Sequence, residues 1–203
     1  ELGKSEMGGA EVGLEAGGFE MGGGGGRTTE TGGKKKEESG KSLTIQGEEI
    51  VVTESWIESE GELVIKGGNA GKIDTSVISG NVLSVEIAGM SEHRGTVYKG
   101  KEVEIVGGSM EMIEGVIESD GAVGVSVEGG MTLVNSTIVG AEVGLEASGF
   151  EMRGGGVRTT ETGGEKKEES GQSLTIHGEE LGVTESWMVA EGELGIKGGN
   201  AGE

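Results

Sequence analysis

Carboxylates are the side chains most able to do chemistry in this sequence, because Asp and Glu together number 37 of its 203 residues. Only Asp74 and Asp120 are Asp; they stand 46 positions apart, and Asp120 precedes Gly121 in a typical turn sequence. Two carboxylates can act together in glycoside hydrolysis, but nothing in the sequence singles out a pair among the 35 Glu. We therefore expect a solvated acidic surface and no catalytic residue.

Other residue types typical of catalytic and metal sites are scarce. The chain has two His and no Cys, so it offers neither a thiolate nor a cluster of zinc ligands. His93 lies in the polar sequence Ser91-Glu92-His93-Arg94, which predicts a surface loop, and the other imidazole, His177, is also predicted to be on the surface. The serine nucleophile pattern G-x-S-x-G does not occur. We expect no bound metal and no cofactor.

The two Trp residues are the strongest candidates for contact with a partner. Alternation of side chains along a strand places Trp56 on the same side as Val52 and Glu54, with Ile57 on the opposite side. Because Glu in a packed core is costly, the Trp56 side is predicted to face outward, unless a bulge shifts the alternation. Trp187 occupies the corresponding place in a second copy of this segment. A Trp that packs on a neighbouring loop or closes one end of the fold is the alternative.

Further candidate contacts lie in a long hydrophilic segment, 22–40, which recurs as 153–171. We expect each copy to leave the fold as a loop, and loops on a rigid scaffold often carry binding residues. A solvated loop without a partner is the alternative, since Lys34 is replaced by Glu165 in the second copy. The candidate contacts in these segments are Arg27, Arg158, Lys35 and Lys36.

The composition excludes several classes of protein. The formal net charge is −21, and so acidic a chain would repel a phosphate backbone, so nucleic-acid binding is not expected. No apolar run of about 18 residues occurs, which excludes a membrane-spanning helix, and the absence of Cys excludes a disulfide framework. Gly accounts for 46 residues and Pro for none. Such a chain would be disordered unless its apolar residues are regularly arranged.

The chain contains a long repeat. Residues 10–71 recur as 141–202 at an offset of 131, with 50 of the 62 aligned positions identical. His177 aligns with Gln46, so the repeat does not require an imidazole there. Because the sequence also begins at Glu1 rather than Met, we expect it to be a piece of a longer repetitive protein, or a processed one.

A shorter period lies inside the long repeat. Triplets of the form apolar-x-apolar begin successive segments at 110–112, 131–133, 150–152, 174–176 and 194–196. Apolar residues alternate with polar ones, as in half-buried strands, and glycines separate the strands at sites of positive φ or tight corners. A short period near 20 is typical of stacked repeats. We predict an all-β fold, a parallel β-helix in which residues 1–203 form one solenoid of roughly nine or ten coils, with a β-sandwich or β-roll as the alternative.

Three segments, SMEMIEGVIESDGAVGVSVEGG, MTLVNSTIVGAEVGLEASG and GTVYKGKEVEIVGG, resemble the β-helical passenger domains of bacterial autotransporters. The resemblance implies a right-handed parallel β-helix that is secreted through the outer membrane and displayed on, or released from, the cell surface. It also implies adhesion, virulence or host-cell signalling through a host cell-surface protein or glycan, with no membrane insertion by this segment. A polysaccharide-degrading β-helix enzyme, a structural stalk and an engineered repeat scaffold are the alternatives.

Overall fold

The computed structural model describes residues 42–160 and 173–198 in full, together with the backbone of strands at 2–3, 6–7, 11–22 and 25–27. Every element in these residues is a β-strand, and all strand pairs are parallel. The fold prediction is confirmed: the chain forms a parallel β-solenoid with about 20 residues per turn.

Fifteen strands follow one another along the described part of the chain. Several of the longer ones continue around a corner of the solenoid, so that one strand supplies two sides of a coil; β6, for example, pairs with β7 on both sides of a register shift. The strands are β1 (Leu2–Gly3), β2 (Glu6–Met7), β3 (Glu11–Gly22), β4 (Gly25–Arg27), β5 (Ser42–Thr53), β6 (Trp56–Asp74), β7 (Val77–Arg94), β8 (Val97–Ile113), β9 (Val116–Ser119), β10 (Ala122–Val127), β11 (Gly130–Gly140), β12 (Glu142–Thr159), β13 (Leu174–Thr184), β14 (Trp187–Val189) and β15 (Leu194–Gly198).

The register stacks residues that are one short period apart in the sequence. Each coil contributes one buried residue to an inner column, so a modest apolar fraction is enough to fill the whole core. One such column consists of Leu43, Leu63, Leu83, Val103, Val123, Val143 and Leu174. The alternating triplets of the sequence therefore form the interior of the solenoid.

The residues that the structure describes in full form about seven turns, and one inner column runs through them from Leu43 to Leu194 and also includes Val12 in the preceding coil. Two circuits, from Val12 to Leu43 and from Val143 to Leu174, are about half as long again as the others. Each includes one copy of the long hydrophilic segment, which lengthens the chain without adding a coil.

One corner of each coil that the structure describes in full contains a residue with positive φ. Most of these residues are not glycine, so positive φ, the first of the two roles predicted for the strand-separating glycines, applies at few of these corners. The corner residues with positive φ are Glu54, Thr75, Gly95, Glu114, Asn135, Gly154 and Glu185.

Hydroxyl groups that follow these corners join neighbouring coils. The Ser76 hydroxyl donates to the Asp74 carbonyl oxygen at 2.7 Å and accepts from the backbone N–H of Ser55 at 3.2 Å. The Thr96 hydroxyl donates to the Ile73 carbonyl oxygen of the preceding coil at 2.8 Å. These side chains thus form hydrogen bonds with backbone groups that have no partner in the strand ladder at the corner. The hydrogen bonds help to stabilise a positive φ at a residue other than glycine.

Glycine has a different role at another corner of the coil. Gly121 has no positive φ, but a Cβ on it would lie 2.5 Å from the Lys101 carbonyl oxygen of the preceding coil. Its role is therefore to let two backbones approach closely.

The positive-φ corner also shifts the alternation around Trp56. Val52 is buried before the corner, Glu54 is exposed within it, and after it Trp56 is exposed while Ile57 is buried. The prediction that Trp56 faces outward is confirmed. The assignment of Val52 to the same side is wrong, because the corner at Glu54 interrupts the alternation.

Stacked like charges lead to a prediction about salt. Glu92 and Glu111 are register partners in adjacent coils, the net charge is −21, and neighbouring like charges destabilise a sheet. We expect the melting temperature to rise when NaCl is raised from about 0.01 M to about 0.15 M, because the Debye length falls from about 30 Å to about 8 Å. Thermal unfolding followed by circular dichroism measures this shift. An unchanged melting temperature would show that surface repulsion does not limit stability.

Candidate functional site

The two Trp side chains occupy equivalent outer positions of the solenoid. Trp56 begins β6 and is 40% exposed, and Trp187 begins β14 and is 42% exposed. The indole of Trp187 lies against Gly156 of the preceding coil, where a Cβ would collide with the ring. Gly156 is the register partner of Trp187, and Gly25 is likewise the register partner of Trp56. Trp187 therefore packs on the fold and still presents much of its ring to solvent.

Val residues continue the outer column that begins at Trp56. The register places Val77 beside Trp56 and then continues to Val97 and Val116 in the next two coils. Val77 is 43% exposed, and the other two are partly exposed. We call Trp56, Val77, Val97 and Val116 the Trp–Val strip. Contiguous exposed apolar surface of this kind is typical of binding sites.

A groove of about 490 Å³ runs along the corner next to the Trp–Val strip, and we call it the corner groove. The register arranges four of its side chains in one column that crosses four coils: Glu58, Ser79, Lys99 and Glu118. Corner residues two positions further along the chain also line the groove: Glu60, Asn81, Lys101 and Asp120.

The corner groove contains both donors and acceptors of hydrogen bonds. Lys99 Nζ lies 2.9 Å from Glu118 Oε2 of the next coil, and Asn81 Nδ2 donates to the Glu60 carbonyl oxygen at 2.5 Å. Both side chains of the Lys99–Glu118 pair are 54% exposed. An ion pair this open to water adds little stability, and its groups remain accessible to a ligand.

The carboxylates of the corner groove lie in its two end coils, Glu58 and Glu60 in one and Glu118 and Asp120 in the other. Glu58 and Glu118 are three coil steps apart in one column, on the order of 14 Å along the solenoid. Acid–base pairs of glycoside hydrolases have carboxyl groups about 5 to 9.5 Å apart, so these two residues do not form such a pair. Within residues 42–160 and 173–198, no group of three His, Cys, Asp or Glu is placed to hold a metal ion.

His93 lies in the core, so the prediction of a surface loop is wrong. Its side chain is fully buried in an inner column between Ile73 and Met112. Alternation along β7 turns the neighbouring Glu92 and Arg94 away from the core. The position of His93 one short period after Ile73 was the sequence signal for this inner location, and the polar neighbours obscured it.

His93 and Tyr98 form a polar pair inside the apolar core. His93 Nδ1 and the Tyr98 hydroxyl lie 2.6 Å apart, whereas the other imidazole nitrogen, Nε2, has no hydrogen-bond partner. Burial lowers the pKa of His93 to about 4 and raises the pKa of Tyr98 well above its ordinary value. Because both side chains are fully buried, the pair belongs to the interior and does not contact a substrate.

The remaining described candidates are on the surface. His177 Nδ1 lies 3.6 Å from Glu146 Oε1, and both side chains are exposed, as predicted for His177. Arg158 is exposed on β12, beside Val189. The predicted loop 153–171 begins too early, because β12 continues as far as Thr159.

The other candidates belong to the first hydrophilic segment. Arg27 ends β4 and is the register partner of Glu58, which places its backbone one coil away from the corner groove. Its side chain, and Lys35 and Lys36, lie outside the described residues. Ser42, where β5 begins, is the register partner of Glu62.

The corner groove itself was not predicted from the sequence. Its residues are polar, and those of one column stand 19 to 21 positions apart. Only the alignment of the coils, anchored on inner apolar residues, brings them together. The signal was present in that spacing, without any local motif.

Comparison with protein-family models, with curated proteins and with solved structures gives no match to this chain. No helix among the described residues is long and apolar enough to cross a membrane. Function is therefore inferred from the surface of the solenoid itself.

Proposed function

We propose that this chain is part of a secreted or surface-displayed passenger domain of the autotransporter type, and that its outer surface binds a host cell-surface protein or glycan. The proposal is supported by the resemblance of the sequence to such passengers and agrees with the parallel β-solenoid fold. Such a rod holds outer side chains at fixed spacings, so contacts made by several coils add together without a cofactor.

The observation that carries this proposal is the position of Trp56. It is 40% exposed, it begins the Trp–Val strip, and it stands two residues before Glu58 of the corner groove. Exposed Trp side chains supply much of the binding energy in many interfaces. An apolar strip beside a polar groove is the pattern expected of a site that combines stacking with hydrogen bonds.

Polysaccharide hydrolysis is the alternative function, and one observation favours it. Four carboxylates line the corner groove: Glu58, Glu60, Glu118 and Asp120. Cleavage would release reducing ends from a polysaccharide, whereas binding alone leaves the chain length unchanged. A structural stalk would do neither.

The proposed function predicts a loss of cell-surface capture when both Trp residues are removed. Immobilised protein is incubated with surface-labelled material from cultured epithelial cells, and the retained label is measured. We expect the Trp56→Ala/Trp187→Ala variant to retain about tenfold less than the wild type, the effect of about 1.4 kcal/mol of lost binding energy.

A matched control keeps this experiment specific. Met90 and Val106 are 53% and 38% exposed and do not line the corner groove, and a Met90→Ala/Val106→Ala variant should capture as much as the wild type. Circular dichroism melting of both variants checks that the fold is retained. Equal capture by the Trp variant and the wild type would remove the Trp residues from the binding site.

A further inference from the structure

We propose that the corner groove binds an uncharged linear glycan whose chain runs along the solenoid axis, with Trp56 at one end of the site. This inference rests on the proposed function and specifies the ligand class of its binding surface.

The first reason is the repeat of the groove. It extends over four coils, from Glu58 to Glu118, and successive coils are about 4.8 Å apart. Each coil presents one residue of the paired column and one polar corner residue beside it. A linear glycan is also a repeating chain, with a sugar ring of comparable length in each unit. Successive rings can therefore meet successive coils with similar contacts.

The second reason is the mixture of chemical groups. Sugar hydroxyls both donate and accept hydrogen bonds. The carboxylates of Glu118 and Asp120 are acceptors, and the ammonium group of Lys101 is a donor. The apolar faces of sugar rings pack against aromatic and aliphatic side chains, which the neighbouring Val77, at 43% exposure, and Trp56 supply. The polar groove and the Trp–Val strip thus match the two kinds of surface that a sugar chain presents.

The third reason is charge. Four carboxylates and two Lys line the groove, within a chain of net charge −21. Sulfated or uronate-rich glycans are also negatively charged and would be repelled by this surface.

The width of the site is the fourth reason. A folded protein partner would cover about 800 Å² of each surface in a typical stable interface, whereas the Trp–Val strip is only one column wide. An uncharged, narrow and extended ligand fits these conditions.

The second copy of the repeat provides an internal comparison. Trp187 has the same local sequence as Trp56, but the position of Glu58 is taken by Val189, which is 46% exposed, and that of Ser59 by Ala190. Trp187 therefore lacks an equivalent polar column beside it. Only Trp56 is expected to contribute to glycan binding.

An array of uncharged linear oligosaccharides, printed beside sulfated and uronate-containing ones of equal length, tests the inference. The groove variant is Lys99→Ala/Lys101→Ala. Its control is Lys66→Ala/Lys72→Ala, which removes the same charge on other outer sides and also breaks one exposed ion pair, since Lys66 Nζ lies 3.0 Å from Glu86 Oε2. Trp56→Ala and Trp187→Ala form a second matched pair. Melting curves confirm that each variant is folded.

The expected result is binding to one or more uncharged glycans that is about tenfold weaker in the groove variant and in Trp56→Ala, with the Lys66/Lys72 control and Trp187→Ala unchanged. The inference is overturned if the wild type retains no uncharged glycan, if it retains only charged ones, or if the groove variant binds as the wild type does.

A parallel measurement separates this inference from the proposed function. Cell-surface capture is repeated after periodate oxidation, which cleaves sugar rings and leaves protein ligands largely intact. Capture that survives oxidation and still depends on Trp56 would support the proposed function with a protein ligand and overturn the glycan inference. Absence of capture before oxidation would contradict the proposed function itself.

Discussion

At pH 4 the solenoid is expected to be about 3 kcal/mol less stable toward unfolding than at pH 7 through His93 alone. Burial lowers the pKa of this imidazole from 6.5 to about 4, because the core accepts only its neutral form. The unfolded chain therefore binds the proton more readily than the folded chain. Stability from this group is complete above pH 6.5, decreases as the pH falls from 6.5 to 4, and changes little below pH 4.

The structure gives no neighbour that would offset the buried charge. In its column His93 lies between Ile73 and Met112, and Tyr98 is the only other titratable side chain buried among the described residues. The pKa of Tyr98 is raised, so it stays neutral over this range of pH. Protonation would leave an imidazolium in an apolar column without a carboxylate partner, which is costly.

Urea unfolding followed by circular dichroism at pH 7, 5.5 and 4 measures the effect. The reference variant is His93→Met/Tyr98→Phe, since Met112 and Met152 already occupy the same inner column. The two proteins share the same surface charges, so contributions other than that of His93 cancel in the difference. Tyr98→Phe alone keeps the imidazole and should keep the pH dependence. Parallel stability curves for the wild type and the double variant would contradict the assignment to His93.

Leu63→Ala is expected to cost about 2 to 5 kcal/mol of unfolding free energy, the usual range for truncating a buried Leu. Leu63 is fully buried in the inner column, covered by coils on both sides. Its counterpart in the second copy, Leu194, has the same preceding residues but is 48% exposed. Leu194→Ala should therefore cost about 1 kcal/mol or less, since much of its side chain is not removed from water.

The urea midpoint and slope of both variants measure this difference. The slope is needed because stacked repeats can unfold in stages, which makes a midpoint alone ambiguous. The two positions share their local sequence, so differences in strand propensity are small. Equal losses for Leu63→Ala and Leu194→Ala would mean that coverage by the next coil does not set the stability of an inner position.

The solenoid was predictable because its interior repeats in sequence. Leu63, Leu83 and Val103 follow one another at the short period, and this spacing alone fixes which residues stack. The alternation failed at Glu54, where a positive φ interrupts it, because a non-glycine residue gives no composition signal for a bend. The inward position of His93 was likewise not predicted, because both of its neighbours in the sequence are charged.

The candidate site was predictable only in part. Trp56 was identified because a large aromatic side chain is rare in this chain and because Trp56 follows Glu54 by two positions, on the side predicted to face outward. The corner groove depends on residues such as Asn81 and Lys101, which are distant in sequence and chemically ordinary on any acidic surface. Their proximity results from the stacking of the coils, and polar residues leave no periodic apolar pattern that would mark it.

The length of the long repeat has a consequence for how such a protein changes in size. The register carries Val12 to Leu43 and then, one short period at a time, to Val143, so the offset between the two copies corresponds to six complete coils. A duplication or deletion of this segment keeps every inner column continuous, whereas a change by part of a coil would not. Genetic recombination between the two copies would therefore alter the reach of the rod by about 29 Å at a time, and would leave the coils on either side folded as before.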